Sequence, residues 1–244
     1  MARGTSWEKV SDWYDDIVGS EGHYYHREVI FPRLLPLLKK SKNLLDCACG
    51  QGVLAKQLGK ETEYVGIDLS KELIDKAKAG TRGSFKVVDI TKPFDLEKSF
   101  DTIVILLAFQ NLEDPKGFIE NAKKHLIQGG RLIMVLNHPC FRIPRQSGWE
   151  VNEAQKLQMR TINRYMSPLE IPLQANPSRG KNSEILRTFH KPLSEITKLL
   201  TDAKLVITSL EEWSSNKTST GKNAKMENRA REEFPLFLTL VARK

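Results

Sequence analysis

The sequence predicts an α/β fold built on an open, mostly parallel sheet with helices on both faces. Runs rich in Val, Ile and Leu alternate with helical patterns along the chain, as in folds whose parallel strands are joined by crossover helices. These runs are nearly continuous in apolar residues, which is typical of strands buried on both faces. The 244 residues, 40% hydrophobic and 28% charged, are enough for a sizeable core.

Seven strand-like runs are predicted, and helical patterns follow three of them. The runs are 42–48, 63–70, 83–90, 100–109, 130–137, 204–213 and 234–244. The helix after the fourth run is expected to stop at Gly129 and Gly130, which leads straight into the fifth run. A further helix is predicted to begin at Pro192, because proline suits the first turn of a helix.

Three segments depart from this alternation of strands and helices. Residues 6–40 are predicted to form two helices. Residues 138–191 carry several prolines and are predicted to be an insertion at the edge of the sheet, with one short helix over 153–163. Residues 214–233 are polar and balanced in charge, and we expect them to be in part a mobile loop.

Composition favours a cytoplasmic protein. The longest apolar run, 102–109, is far shorter than the roughly 20 residues of a spanning helix, so no membrane is expected as a partner. The N-terminus lacks the apolar core of a signal peptide. Cys47, Cys49 and Cys140 are an odd number of cysteines, which fits reduced thiols. No Cys or His pair accompanies them at zinc-ligand spacing, and no metal is predicted.

The stretch LLDCACGQG, residues 44–52, raises the question of what binds at its glycines. Asp46 ends a strand, and Gly50 and Gly52 let the backbone approach a ligand closely. The carboxyl end of a central parallel strand is where open α/β sheets bind ligands. No Gly-Lys-Ser/Thr follows, which excludes a Walker-type phosphate loop. A dinucleotide pattern fits only loosely, with Ala55 at its third glycine position.

This stretch resembles motif I of the class I S-adenosylmethionine-dependent methyltransferases, D-x-G-x-G-x-G, with Ala48 in place of the first glycine. YVGIDLS, VVDI, FDTIVILLAFQNLED and GGRLIMVLN follow in the order of that family's later motifs. The resemblance covers 42–137 and resumes near His190. It implies a seven-stranded, mostly parallel Rossmann-like sheet with an antiparallel last strand. It also implies S-adenosyl-L-methionine as cofactor and S-adenosyl-L-homocysteine as product.

The resemblance also implies which residues hold that cofactor. Asp68, followed by Leu69, takes the position of the acid that binds both ribose hydroxyls, and a charged carboxylate is a strong acceptor for a diol. Asp89, with Ile90 beside it, takes the position of the acid that contacts adenine. The backbone carbonyls of Leu106 and Leu107 would face the methionine moiety.

The glycine turn and an N-terminal tyrosine complete this expected cofactor set. Asp46 would orient the turn formed by Ala48, Gly50 and Gly52, or meet the methionine ammonium through water. Tyr14 resembles the aromatic residue that closes over the cofactor in many relatives, and a tyrosine that packs between helices is the alternative. We therefore divide the chain into an N-terminal helical lid (1–41), a cofactor-binding core (42–137), an acceptor-covering insertion (138–191) and the C-terminal part of the core sheet (192–244).

Candidate catalytic residues lie near the expected mouth of the site. His138 directly follows the fifth strand and is a candidate general base or acceptor-orienting group, with a packing histidine as the alternative. His23 and Tyr25, in GHYYH, are candidates for a lid over the cofactor or acceptor, although part of this cluster must simply pack. NHPCF is only superficially like the N-P-P-Y signature of other methyltransferases, and that activity is not carried over.

The predicted function is methyl transfer to an oxygen or nitrogen of a small molecule. An RNA nucleoside (tRNA or rRNA) is the alternative acceptor, because the net charge is +8 and residues 141–190 hold eight Lys/Arg against four Asp/Glu. The basic residues are dispersed rather than clustered, which counts against RNA. A non-catalytic cofactor-binding protein is the third hypothesis.

Overall fold

A computed structural model describes Gly19, residues 21–176 and residues 182–244. The strands in these ranges are β1 (Asn43–Cys47), β2 (Glu63–Asp68), β3 (Ser84–Val87), β4 (Phe100–Leu106), β5 (Leu126–Asn137), β6 (Ser147–Asn152), β7 (Leu157–Ile162), β8 (Leu169–Gln174), β9 (Ile185–His190), β10 (Val206–Trp213) and β11 (Phe237–Arg243). The α-helices are α1 (Phe31–Leu38), α2 (Lys71–Gly80), α3 (Lys116–His125), α4 (Leu193–Asp202) and α5 (Ala224–Glu233).

Seven of these strands form one sheet, in the order β10-β11-β5-β4-β1-β2-β3. Strands β3, β2, β1, β4 and β5 pair in parallel, whereas β11 is antiparallel to both β5 and β10. The predicted fold class is therefore confirmed, including the antiparallel last strand. The carboxyl ends of β1, β2 and β4 meet at one edge, where the resemblance places the cofactor.

The sheet is covered on both faces because successive strand residues point to opposite sides. Leu45 of β1 faces a core that includes Phe118 of α3, while its neighbour Leu44 faces a core that includes Leu34 of α1 and Ile74 of α2. All five residues are at least 99% buried, and all but Phe118 are fully buried. Helices thus lie on each side of an apolar sheet, as the continuous Val/Ile/Leu runs predict.

Two predicted helix boundaries were wrong. After β1 there are turns and a single 3-10 turn at Ala55–Gln57 instead of a full helix, and the chain is extended again at Leu58. The helix before β5 ends at His125 rather than at Gly129 and Gly130. Leu126 is already extended and pairs with Phe100, so this pairing ends the helix four residues early.

The short helix predicted over 153–163 was also wrong, because this region is half of a β-hairpin. Strands β6 and β7 pair antiparallel, with Trp149 opposite Arg160. Lys156 has φ +52°, a left-handed conformation that interrupts a helix, and the Asn152 side-chain oxygen accepts a hydrogen bond from the Gln155 N–H at 3.0 Å. A second hairpin, β8–β9, follows in the same insertion.

The flanking segments agree with the sequence in part. Helix α4 begins at Leu193, directly after Pro192 as predicted. The polar segment 214–233 includes helix α5, so it is less loop-like than expected. At the N-terminus, a π-helical turn at His26–Ile30 runs into α1, and the rest of the two predicted helices lies mainly outside the described residues. Among the described residues, no helix combines the length and apolarity needed to cross a membrane.

Candidate functional site

The turn after β1 has an unusual backbone. Ala48, Gly50 and Gly52 have φ values of +58°, +55° and +78°, a region that glycine enters freely and alanine only with strain. The turn is fixed to the neighbouring strand, since the Cys49 N–H donates to the Ile67 carbonyl at 3.0 Å. The chain therefore reverses sharply at the sheet edge without large side chains at Ala48 and Gly50.

Asp68 joins this turn to the end of β2. One of its carboxylate oxygens accepts from the Gly50 N–H at 2.9 Å, and the other accepts from the Ser70 N–H at 2.9 Å. Burial raises the pKa of Asp68, while these backbone donors favour its charged form. The carboxylate is thus held in a fixed orientation, with lone pairs left on both oxygens for a ligand.

Asp89 lies in the loop after β3. Its Oδ1 accepts from the Thr91 N–H at 2.9 Å and from the Thr91 hydroxyl at 2.6 Å. Among the described residues Oδ2 has no hydrogen-bond donor, so one carboxylate oxygen is available to a ligand.

The structure brings most of the predicted cofactor residues together around one cavity of about 520 Å³. Eight of the eleven line it, and they are Ala48, Gly50, Asp68, Leu69, Asp89, Ile90, Leu106 and Leu107. Asp46 and Gly52 are not in the lining, and a side chain at Gly52 would meet Thr81 and Phe85. Tyr14 lies outside the described residues.

Further cavity residues escaped the sequence reasoning. They are His26, Leu73, Val88, Thr91, Lys92, Ala108, Asn111, Leu112, Glu113 and Asp114. Four of them, Val88, Thr91, Lys92 and Ala108, sit on loops within two residues of a predicted cofactor residue, which is the signal that could have found them. His26 lies far from the others in sequence. It belongs to the cluster GHYYH, from which its neighbours His23 and Tyr25 were chosen instead.

His26 presents a neutral imidazole to the cavity. Its side chain is 91% buried, and its Nδ1 has no hydrogen-bond partner among the described residues. Burial first, and then the nearby His23, lower the pKa of His26 to about 4. The ring is therefore uncharged at neutral pH. It starts a π-helical turn, a geometry that often occurs at functional sites.

The backbone directly after β4 adopts a left-handed conformation beside the cavity. Leu107 has φ +53°, and its N–H donates to the Val135 carbonyl at 2.8 Å. Its carbonyl accepts from the side-chain amide of Gln110 at 2.7 Å, which leaves that oxygen one further lone pair. Leu106, the last residue of β4, also lines the cavity.

Asp46 is a buried carboxyl beneath the turn. Its Oδ2 accepts a hydrogen bond from the Tyr64 hydroxyl at 2.6 Å, and its Oδ1 has no partner within the described part of the chain. Burial raises the pKa of Asp46 to about 7, with a contribution from Asp68, whereas Tyr64 lowers it. The turn is oriented by Asp68 in this structure, because the Gly50 N–H donates to Asp68.

The three candidate catalytic residues lie outside the cavity lining. His138 is 99% buried, and both ring nitrogens are engaged, by Glu212 at 2.7 Å and by the Cys140 N–H at 3.2 Å. The rings of His23 and Tyr25 are 5.7 Å apart. Their roles stay predictions.

The cavity fits S-adenosylmethionine by size and by chemistry. A volume of about 520 Å³ is within the roughly 300–1,000 Å³ typical of cofactor sites. Asp68 and Asp89 offer carboxylate oxygens suited to ribose and adenine donors, and Leu69, Val88 and Ile90 supply an apolar wall. Four lining residues are carboxylates and one is a lysine, Lys92, which suits a nucleoside cofactor without phosphates. Within the described residues no cluster of three His, Cys, Asp or Glu could hold a metal ion.

Comparisons with known proteins agree with this site. Residues 45–134 match the model of a family described as "Methyltransferase domain". An uncharacterized protein of Methanocaldococcus jannaschii is 25% identical over 199 residues, which are 79% of this chain and 87% of that protein. The demethylmenaquinone methyltransferase of Thermotoga maritima is 28% identical over 98 residues, 38% of this chain and 43% of that enzyme.

The fold is shared with a solved structure. The S-adenosylmethionine-dependent methyltransferase of Mesorhizobium loti superimposes with a TM-score of 0.64 at 22% sequence identity, over 83% of this chain and 90% of that one. The matched family segment runs from β1 to the middle of β5 and contains the glycine turn, Asp68, Asp89, Leu106 and Leu107. The methyltransferase family, the enzyme class and the cofactor that the sequence predicts are thus confirmed.

Proposed function

We propose that this chain, a class I S-adenosylmethionine-dependent methyltransferase, transfers the methyl group to an oxygen or nitrogen of a small molecule. The observation that carries this proposal is the single cavity that unites the ends of β1, β2 and β4 with the loop after β3. The cofactor supplies a methyl group on a sulfonium leaving group. The protein's task is therefore mainly to align an acceptor and to exclude water.

Within this function we assign roles to the cavity residues. Asp68 would bind the ribose hydroxyls and Asp89 the adenine, with Leu69 and Ile90 packing on the nucleoside. The carbonyls of Leu106 and Leu107 would accept from the methionine ammonium, and Gly50 and Ala48 would let the backbone approach it. Each of these roles is testable by substitution with a binding readout.

The acceptor side is proposed to lie towards the N-terminal segment and the insertion. Residues 1–41 would act as a lid and residues 138–191 would cover the acceptor. His23, Tyr25 and His138 stay candidates for contacting it. A base role for His138 requires Glu212 or Cys140 to release one ring nitrogen, and a base is needed only for an alcohol, phenol or protonated amine.

A small acceptor is favoured over RNA because Arg160 of the insertion is engaged by neighbouring groups of the insertion itself. Arg160 donates to the Phe141 carbonyl at 2.7 Å and to the Ser147 hydroxyl at 2.8 Å. Its guanidinium also lies 4.9 Å from the Trp149 ring centre. The Thermotoga relative, by its name, methylates demethylmenaquinone, which is a small-molecule precedent. A cytoplasmic location stays a prediction.

The test is methyl transfer from S-adenosylmethionine carrying a labelled methyl group. Phenols, amines and carboxylic acids form one set of acceptors, and total tRNA and rRNA form the other. The proposal expects label in a small molecule and none in RNA. Label in RNA alone would support the RNA alternative, and binding of the cofactor with no transfer to either set would contradict the proposal.

A further inference from the structure

Arg142 is a partly buried cation just beyond the end of β5. The segment 138–142 closes a turn in which the Arg142 N–H donates to the His138 carbonyl at 2.8 Å. One guanidinium nitrogen donates to the Asn137 side-chain oxygen at 2.9 Å. The guanidinium carbon lies 5.5 Å from the centre of the Phe237 ring. The side chain is thus directed to one place by a hydrogen bond and an aromatic face.

This cation lacks a counter-ion. Among the described residues no carboxylate forms an ion pair with Arg142, and Asn137 is its side chain's hydrogen-bond partner. Burial lowers the pKa of Arg142 more than any neighbour does, the Tyr25 hydroxyl raises it and the positive charge of Arg160 lowers it. A guanidinium has five N–H donors, and a bound anion would offset the cost of partly dehydrating this cation.

Two aromatic rings lead from Arg142 to a second cation. The Tyr25 ring lies 5.9 Å from the Phe237 ring, and the Lys217 ammonium lies 5.1 Å from the Tyr25 ring. Lys217 is exposed and has no ion pair within the described residues. Arg142 therefore lies against an aromatic face and feels the positive charge of Arg160, with Lys217 beyond the second ring, and such surroundings suit a planar anion bound by a guanidinium.

The position of Arg142 points to the methyl acceptor. Tyr25 and Leu107 pack against the same apolar core as Phe237, and Leu107 also lines the cofactor cavity. Strand β5, which ends at Asn137, pairs directly with β4, which ends at Leu106. The anion-free guanidinium thus sits at the same sheet edge as the cofactor cavity, one strand further along.

We propose that Arg142, positioned by Asn137, binds a carboxylate or phosphate group of the small-molecule acceptor, with Lys217 as a second cation. This inference rests on the proposed function and specifies its substrate class as an anionic one. An acceptor held by a fixed guanidinium would be oriented relative to the methyl group, which is how such clamps contribute to group transfer.

The test uses the full chain saturated with S-adenosylhomocysteine and measures binding by calorimetry. The probes are acetate, benzoate, inorganic phosphate and phenyl phosphate, with benzamide and benzyl alcohol as neutral counterparts. We expect at least one anion to bind at least tenfold more tightly than the neutral probes. Comparison of the carboxylates with the phosphates then identifies the group that is bound.

The variant Arg142→Met removes the charge but keeps an apolar stem. Arg145→Met is the matched control, because Arg145 is exposed and lies three residues away. We expect Arg142→Met to weaken anion binding at least tenfold, and Arg145→Met to change it less than twofold. Affinity for S-adenosylhomocysteine should stay within twofold in both variants, which shows that the fold is intact. Arg142→Lys covers the case in which the methionine variant does not fold, and it should weaken binding through loss of the bidentate geometry.

Three results would overturn the inference. One is that none of the anions binds more tightly than the neutral probes. Another is that Arg142→Met and Arg142→Lys bind anions as the unmodified chain does. The third is that a short RNA binds to the chain and that Arg142→Met and Arg145→Met weaken this binding equally. Failure to bind S-adenosylhomocysteine would instead contradict the proposed function, so the two failures are distinguishable.

Discussion

His138 Nε2 lies 2.7 Å from Glu212 Oε1, and this contact fixes the end of β5 to β10. Its Nδ1 accepts a hydrogen bond from the Cys140 N–H at 3.2 Å, so the neutral ring carries its proton on Nε2 and donates it to Glu212. Burial lowers the pKa of His138 more than Glu212 raises it. The ring is thus a buried link between two strands, and any catalytic role must start from that state.

The first prediction concerns this pair. Glu212→Gln removes the carboxylate that stabilises the imidazolium, so the pKa of His138 should fall further below its ordinary value. A histidine with a depressed pKa adds stability above its ordinary pKa and loses it as pH falls through the folded value. NMR titration of the imidazole signals would measure the pKa, with Glu211→Gln as the neighbouring control. If the pKa of His138 is unchanged or raised in Glu212→Gln, the Glu212 carboxylate does not stabilise the imidazolium of His138.

The second prediction uses the buried carboxyl of Asp46, whose pKa is raised to about 7 from 3.8. The folded state holds this proton more tightly than the unfolded state does, so the stability contribution is full below pH 4 and is lost as pH rises to about 7. Asp46→Asn does not titrate. Its free energy of unfolding relative to the unmodified chain should therefore increase by roughly 2–3 kcal/mol between pH 5 and pH 8.

Urea unfolding of both proteins without cofactor, at pH 5 and at pH 8, measures that difference. Taking the difference between variants cancels the titration of other groups. Equal pH dependence of the two proteins would mean that Asp46 is already ionised in the folded state.

A third prediction comes from Ala48, which has φ +58° where the family motif has glycine. A left-handed alanine costs roughly 1–2 kcal/mol, and glycine adds about 0.4–1 kcal/mol of unfolded-state entropy that opposes the gain. Ala48→Gly should therefore raise the free energy of unfolding by up to about 1 kcal/mol. Ala48→Val should lower it, because a β-branched residue is least tolerant of positive φ. A clear loss of stability in Ala48→Gly would refute this account of the turn.

The fourth prediction concerns Gly117, which lies outside the cavity lining but packs against the loop that positions Asp89. A Cβ at Gly117, in the first turn of α3, would collide with the backbone carbonyl of Thr91, and Thr91 donates twice to Asp89. Gly117→Ala should displace this loop and weaken S-adenosylhomocysteine binding about tenfold, the size of one lost charged hydrogen bond. Gly148→Ala, whose Cβ would make only an ordinary 3.4 Å contact, should leave affinity within twofold.

The sheet was predictable from the sequence because strands buried on both faces leave long Val/Ile/Leu runs, as in β4 and β5. The glycine turn, Asp68 and Asp89 were predictable because a motif fixes them. The hairpin β6–β7 was missed since it depends on the pairing of Trp149 with Arg160 rather than on a local pattern.

The absence of a local sequence pattern also explains which site residues were missed. His26 reaches the cavity through the packing of the N-terminal helix on the sheet, and nothing in the local sequence distinguishes it from His23 and Tyr25 of the same cluster. Glu212, the hydrogen-bond partner of His138, is 74 residues away in sequence. Contacts between distant segments leave no local signal, whereas turns and strand ends do.

Calorimetric titration with S-adenosylhomocysteine, of the unmodified chain and of Asp68→Asn, tests the central claim most directly, with NAD as the control ligand. The account predicts micromolar binding to the unmodified chain, none with NAD, and at least a tenfold loss in Asp68→Asn, since a charged hydrogen-bond acceptor contributes roughly 1.5–3 kcal/mol. Equal affinity in the two proteins would contradict the assignment of the ribose site to Asp68. No binding to the unmodified chain would contradict the cofactor site as a whole.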